Sequence, residues 1–147
     1  MVEQAVDIFN QKAMKVLRYE LATEGGAQVV VKVAGASKSD PKFGTSSLHG
    51  KTSKGTEVAK GPSGNGVIEA EIFLPPDPVN KHANVLLHIL LHEMTHAAGL
   101  EEHANEGILI TVPNIDENGN ITAVRGGKKM PPFFFSNKTM IRLRKIW

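Results

Sequence analysis

The sequence predicts a small α+β protein, and three observations support this prediction. Helical periodicity occurs near the start, in the middle and at the end of the chain, and strand-length segments rich in β-branched residues lie between these regions. The length of 147 residues suits one buried core, so we expect a single domain over residues 1–147. Hydrophobic and charged fractions of 41% and 22% are those of a globular protein and argue against disorder.

The first half of the chain predicts one helix followed by strands and loops. Apolar residues recur at three- and four-residue steps from Val2 to about Glu24, where a glycine pair ends the pattern. The valine-rich segment at residues 28–33 predicts a strand, and residues 35–66 are rich in Gly, Ser, Lys and Thr, which favours loops. Residues 66–74 alternate in polarity and predict a half-buried strand that stops at two prolines.

The second half predicts a central helix, a hairpin and a final helix. Asp77 and Pro78 are typical of a helix start, and the helix continues from Val79 to Ala98. Residues 108–112 and 120–124 flank a DENGN turn and predict a hairpin. After a proline-containing turn, Ser136 is expected to cap a basic helix that extends to the end of the chain.

The amino-acid composition limits which ligands and partners the protein can have. The formal net charge is only +2, so nucleic-acid binding is permitted but not indicated. There is no cysteine, so a metal would have to be held by histidines and carboxylates. The sequence has neither the pattern of a signal peptide nor an apolar run of about 18 residues, so we expect no membrane partner. A cytoplasmic location is compatible with this pattern, and the sequence leaves the location open.

The central helix contains the motif HEMTH at residues 92–96. His92 and His96 are four residues apart, which places both imidazoles on one helix face, about one turn apart, where they can chelate one ion. Glu93 is then beside the metal and can exchange a proton with a water molecule. The pentapeptide alone is also compatible with two core histidines.

The longer run HEMTHAAGLEEH resembles the metzincin clan of zinc peptidases, whose pattern is HExxHxxGxxH followed by a methionine turn. His92, Glu93, His96 and Gly99 match this pattern. The resemblance implies a zincin-like fold with a small mixed sheet, one catalytic Zn²⁺ and Glu93 as general base. The small size and the HAAGL stretch are also similar to small zincin-like proteins of phages and prophages.

The third ligand departs from the pattern of the clan. The last histidine of the clan corresponds to Glu102, whereas the nearest histidine is His103. We expect His103 to be the ligand, because imidazole is usual at this position in the clan and a short loop can absorb one residue. Glu102 is the alternative. The final helix contains no acidic residue, so it cannot supply a ligand.

Three further residues and one strand bear on this interpretation. Met130, two residues before a proline, resembles the methionine turn, although an ordinary core methionine would give the same pattern. Residues 67–74 predict either an edge strand that pairs with a peptide substrate or a plain core strand. His88 is expected to have a packing role or to support the ligands, and the only tyrosine, Tyr19, falls within the first predicted helix.

The sequence therefore predicts a zinc-dependent metalloendopeptidase that hydrolyses peptide bonds through a metal-activated water. Its partner would be a polypeptide substrate, and we expect a monomer that binds no nucleic acid. The alternative is a catalytically inactive protein of zincin fold, in which zinc only stabilises a binding or structural module. A metal-free interaction module, with the histidines in its core, ranks last.

Overall fold

The computed structural model describes residues 1–23, 25, 27, 29–33, 51–54, 70–74, 83–100, 102–110, 114–115, 121–122, 124–125, 128–129 and 131–147. Within these residues there are three α-helices: α1 (Val2–Lys12), α2 (Ala83–Ala97) and α3 (Asn137–Ile146). The strands are β1 (Val29–Val33), β2 (Lys51–Lys54), β3 (Ala70–Leu74), β4 (Asn114–Ile115), β5 (Ile121–Thr122), β6 (Val124–Arg125) and β7 (Lys128–Lys129). The coarse prediction, a small mixture of helices and strands with helices early, centrally and late in the chain, is confirmed.

The first three strands form a mixed sheet in the order β1-β3-β2. β1 is parallel to β3, with Val31 opposite Ile72, and β2 is antiparallel to β3, with Thr52 opposite Ile72. β3 is therefore paired on both sides, and four of its five side chains are buried. Of the two interpretations of residues 67–74, the plain core strand agrees with β3, whose backbone groups are paired with two neighbours. The substrate-pairing edge strand is wrong for β3, and the strand is more buried than its alternating polarity predicts.

α2 is the most deeply buried helix, and its burial pattern marks two residues. From Leu87 to Ala97, every side chain is buried except those of His92 and His96, which are partly exposed. The helix contacts α1, β2 and β3. Burial of each leucine in such a position contributes about 1.5–3 kcal/mol, so packing holds this helix firmly while the two histidines remain partly exposed.

A glycine follows the end of α2 and a serine caps the start of α3, as the sequence predicts. α2 ends at Ala97, and Gly99 has a φ of +111°, which lets the chain turn away from the helix axis. At the start of α3, the Ser136 hydroxyl accepts a hydrogen bond from the Thr139 N–H, so the predicted cap is confirmed. The predicted start of the central helix, at residues 77–82, lies outside the described residues.

An antiparallel pair of strands flanks residues 116–120, as predicted, but the first strand is not the predicted segment 108–112, because β4 begins at Asn114. β4 pairs with β5 in antiparallel register, and a second antiparallel pair joins β6 to β7. Residues Gly107–Leu109 form a 3-10 turn instead of a strand. The reason is tertiary: the Ile108 N–H donates to the Phe134 carbonyl at 2.7 Å, so it is not used in a strand ladder.

The first helix is much shorter than its periodicity predicts. It ends at Lys12, and Met14 and Lys15 follow with positive φ of 49° and 68°. The Asn10 side chain then hydrogen-bonds both the N–H and the carbonyl of Tyr19, each at 2.8 Å. A continuous helix to residue 24 could not make these contacts, so tertiary hydrogen bonds override the local pattern.

A membrane-crossing helix is not found in the described part of the chain, since none of its helices combines sufficient length with sufficient hydropathy.

Replacement of Asn10 by alanine tests whether this side chain holds the returning segment. Loss of two partly buried hydrogen bonds should lower the free energy of unfolding by about 1–3 kcal/mol. Urea unfolding measures the change, and Gln11→Ala, at an exposed position on the same helix, is the control. Equal stability of the two variants would contradict the assignment.

Candidate metal centre

Two histidines of α2 bring their Nε2 atoms together. Because His92 and His96 are one helical turn apart, their rings project from the same face. The ring centroids are 4.7 Å apart, and the two Nε2 atoms are separated by 3.0 Å. The predicted pairing of the two motif histidines is therefore present in the structure.

Backbone carbonyls determine which nitrogen of each ring has the proton. The Nδ1 atom of His92 lies 2.7 Å from the Ile108 oxygen, and the Nδ1 atom of His96 contacts the Leu100 oxygen. A carbonyl oxygen can only accept, so Nδ1 must be the protonated donor in both rings. In the neutral rings Nε2 then has a free lone pair, which is the form that binds a metal.

The close approach of the two Nε2 atoms fits a cation between the rings. Two lone pairs 3.0 Å apart repel each other, and neither ring can donate if both protons are already on Nδ1. In a tetrahedral zinc site with Zn–N bonds of about 2.0–2.1 Å, two ligand nitrogens would be separated by about 3.3 Å. The observed spacing is close to this value, so the residues fit a bound metal ion.

A third imidazole completes the group. The His103 ring centroid is 5.2 Å from that of His92 and 4.9 Å from that of His96. One ligand nitrogen of each of the three rings lies within 4.8 Å of the other two. Among the described residues, the group that meets this criterion contains three histidines and no carboxylate. Three imidazoles are a known ligand set of catalytic zinc.

Glu102, the alternative ligand, is placed differently. Its side chain is exposed, and it is not a member of the three-histidine group. Its backbone carbonyl accepts a hydrogen bond from the Arg142 guanidinium at 3.3 Å. The structure thus brings His103, and not Glu102, to the two motif histidines.

A closed loop after α2 positions His103 and the carbonyl that His92 contacts. The Ala104 N–H donates to the Leu109 carbonyl at 2.9 Å, and Ala104 also forms an isolated bridge with Ile110. Gly107 has a φ of +72°, a conformation that side chains disfavour. This turn directs the Ile108 N–H to Phe134 and leaves the Ile108 carbonyl facing His92.

Burial keeps His92 in the neutral form. Desolvation is the main cause that lowers the pKa of His92 to about 3, and the neighbouring His96 lowers it further, against a smaller opposing effect of the Ile108 hydrogen bond. A neutral imidazole is the state that coordinates a metal. The ring is therefore ready to bind an ion at neutral pH without losing a proton.

Glu93 lies on the buried side of the motif. Its side chain is 5% exposed, and as residue i−3 relative to His96 it lies on the helix surface next to that ligand. A carboxylate at this position of the motif is a candidate for exchanging a proton with a molecule bound at the histidines.

His88 is a core histidine. It is 4% exposed, and neither ring nitrogen has a hydrogen-bond partner. Its nearest aromatic neighbour in the described chain is the Phe133 ring, at 6.5 Å between centroids. Burial lowers the pKa of His88 to about 4. His88 does not belong to the three-histidine group, which agrees with a packing role.

Tyr19 is not in a helix, contrary to the sequence prediction. Its hydroxyl donates to the Met94 carbonyl on α2 at 2.7 Å, and burial raises its pKa above the usual value. Its ring also meets Phe9 edge-on at 4.9 Å between centroids. Tyr19 therefore joins α1 to α2. Met130, the methionine-turn candidate, lies outside the described residues.

Sequence reasoning missed the groups that support the ligands. The carbonyls of Leu100 and Ile108 belong to residues whose side chains indicate only a core position, so these residues themselves give no signal. Gly107 indicates the turn before Ile108, because an isolated glycine is often required by a turn.

Comparison with known protein families, curated protein sequences and solved structures finds no match for this chain. The chemistry of the site must therefore support any assignment of function.

Gly107→Ala should damage the site through the backbone. A Cβ at this position would lie 2.6 Å from the Phe134 oxygen, and the positive φ adds strain. We expect about 1–3 kcal/mol lower stability and metal affinity about 10- to 100-fold weaker, because the carbonyl that orients His92 moves. Calorimetric zinc titration measures the effect.

Gly25→Ala is the matched control for this variant, since a Cβ at Gly25 has no atom within 4 Å. Weaker zinc binding in both variants would mean that glycine replacement acts by some route other than the Ile108 carbonyl.

His88→Leu should reduce the acid sensitivity of the metal-free protein. Because the pKa of His88 is lowered to about 4, the unfolded state binds a proton that the folded state does not, and stability falls as pH drops from about 6.5 towards 4. At pH 5 this linkage costs about 2 kcal/mol, and at pH 7.5 almost nothing. Urea unfolding of the variant at pH 5 and at pH 7.5 should not show this loss of stability. If the variant and the unmodified protein have the same pH dependence, His88 is not the source of the acid sensitivity.

Proposed function

We propose that this chain is a zinc-dependent endopeptidase whose metal is held by His92, His96 and His103. The observation that supports the proposal is the 3.0 Å separation of two Nε2 atoms whose Nδ1 protons are both donated to carbonyls. A cation between the rings would relieve the repulsion of the two lone pairs, and His103 is close enough to be the third ligand.

Zinc fits the donor set better than the harder cations. Magnesium and calcium prefer oxygen ligands, whereas imidazole suits zinc and its transition-metal neighbours. Three protein ligands leave a fourth position for water or substrate, as in catalytic zinc sites. A zinc ion bound there would lower the pKa of its water to about 7 and polarise a carbonyl group.

Glu93 is the proposed general base. Its carboxylate would accept the proton that water loses during attack on the peptide carbonyl, and would then deliver it to the departing amine nitrogen. His92 and His96 keep their orientation throughout, because each is anchored through Nδ1 to a backbone carbonyl.

The proposed substrate is an extended polypeptide. Since β3 is central, a peptide could only be added at an outer strand of the described sheet, β1 or β2. We favour β2, because it contacts α2, the helix that contains the ligands. Backbone pairing of this kind gives affinity with little preference for sequence.

A second candidate is a non-catalytic protein in which zinc serves stability. The hydroxyl of Tyr19 donates to the Met94 carbonyl, so it is engaged in the core and is not the group that would stabilise a transition-state oxyanion. Among the described residues, the oxyanion donor is unassigned. This candidate would bind one zinc and cleave nothing.

Glu93→Gln separates the two candidates. The amide cannot take a proton, so we expect cleavage of an unfolded casein-type substrate to fall about 100- to 10,000-fold, with one zinc per chain retained by elemental analysis. Chelator should abolish the activity of the unmodified protein. Undiminished cleavage in the variant would exclude Glu93 as the base.

Glu102→Gln is the matched control, because it makes the same carboxylate-to-amide change at an exposed residue outside the histidine group. It should keep both zinc and activity. Loss of zinc in this variant, with zinc retained in His103→Ala, would reverse the choice of third ligand.

A further inference from the structure

The segment that follows α2 contains two functions of the proposed centre within six residues. The Leu100 carbonyl accepts the Nδ1 proton of His96, and His103 contributes the third imidazole. Glu102 and His103 are both exposed, so burial of their own side chains does little to hold them. The residues that order this segment therefore affect the geometry of the metal centre.

α3 contacts this segment at its first residues. The indole Nε1–H of Trp147 donates to the Ala98 carbonyl at 2.8 Å. Ala98 is at the end of α2, where helix carbonyls lack intrahelical partners. The Ile146 side chain lies over Gly99, at 3.3 Å from the position that a Cβ there would take. These two contacts hold the turn that presents the Leu100 carbonyl to His96.

α3 contacts the same segment again beside the third ligand. One turn before Ile146 on the helix, Arg142 donates to the Glu102 carbonyl at 3.3 Å. The helix itself is anchored, since Leu143 is fully buried and Ser136 caps its start. α3 therefore contacts the chain at Ala98 and again at Glu102.

We propose that α3 is a positioning element for the metal centre, in which Trp147 and Arg142 hold Ala98 and Glu102 so that His96 and His103 are oriented for the ion. The inference rests on the proposed metal centre and does not require that the protein cleave peptides. Neither residue is a ligand. Trp147 and Arg142 raise the fraction of metal-free molecules in which the three imidazoles have the geometry that binds the ion. The apparent affinity for the ion falls in proportion when that fraction falls.

The test measures zinc affinity by competition with a chromophoric chelator, on the full chain. Trp147→Phe keeps an aromatic ring and removes the N–H, and Arg142→Gln removes the guanidinium. We expect each to raise the Kd for zinc about tenfold, the range of lost support to a ligand. Arg142→Lys should restore most of the affinity, because its ammonium can still donate to the Glu102 carbonyl.

Arg144→Gln is the matched control, because Arg144 is exposed on the same helix and should leave the Kd unchanged. The visible spectrum of the cobalt-substituted protein is the second measurement. It should change in Trp147→Phe and Arg142→Gln, because the arrangement of ligands around the ion is altered, and should not change in Arg144→Gln.

The outcomes are distinguishable. If Trp147→Phe and Arg142→Gln lower thermal stability but leave the zinc Kd and the cobalt spectrum unchanged, α3 has a structural role only and the inference is overturned. If the unmodified protein itself fails to bind zinc at one per chain, the proposed centre falls, and this inference with it. If Trp147→Phe does not fold, Arg142→Gln decides, because its side chain is only partly buried.

Discussion

The hydrogen bonds from the Nδ1 atoms of His92 and His96 to the carbonyls of Ile108 and Leu100 determine the chemistry of the site. Each bond assigns the proton of a ring to Nδ1 and leaves a lone pair on Nε2. The two lone pairs then meet at 3.0 Å. Without these bonds the same two histidines could share a proton or turn apart, and their spacing would not indicate a metal.

These acceptor carbonyls are available because of the fold around α2. α2 is buried from Leu87 to Ala97 except at the two histidines, so its position is set by packing against the sheet and α1. The chain then turns at Gly99 and again at Gly107, both with positive φ. Each turn places one carbonyl against one imidazole. The apolar core and the polar site are thus parts of one arrangement.

His88, on α2, and Tyr19, which contacts α2, have structural roles and are not part of the three-histidine group. His88 has the helical spacing of a ligand relative to His92, but it is enclosed and held neutral by desolvation. Tyr19 reaches α2 and uses its hydroxyl on the Met94 carbonyl. Both residues stabilise or fill the core on which the ligands are mounted, and their chemistry is not directed to the proposed ion.

Much of the fold was predictable where a pattern is local. Periodicity, the serine cap and the glycine stop were sufficient for the end of α2 and the start of α3, and spacing alone placed His92 and His96 on one face. The length of α1 was not predictable, because the pattern continues beyond Lys12 and only Asn10, by binding Tyr19, shows where the chain turns back. The central position of β3 was not predictable either, because it depends on pairing with β1 and β2, which lie elsewhere in the chain.

The sequence by itself determined that His92 and His96 lie on one helix face and that Glu93 adjoins them, because positions along a helix have a fixed relation. Only the tertiary structure decided that His103 joins them and that Glu102 does not, and that backbone carbonyls set the tautomers. Those outcomes depend on the hydrogen bonds from Ile108 to Phe134 and from Arg142 to Glu102. Both contacts join residues far apart in the chain, and no local pattern encodes them.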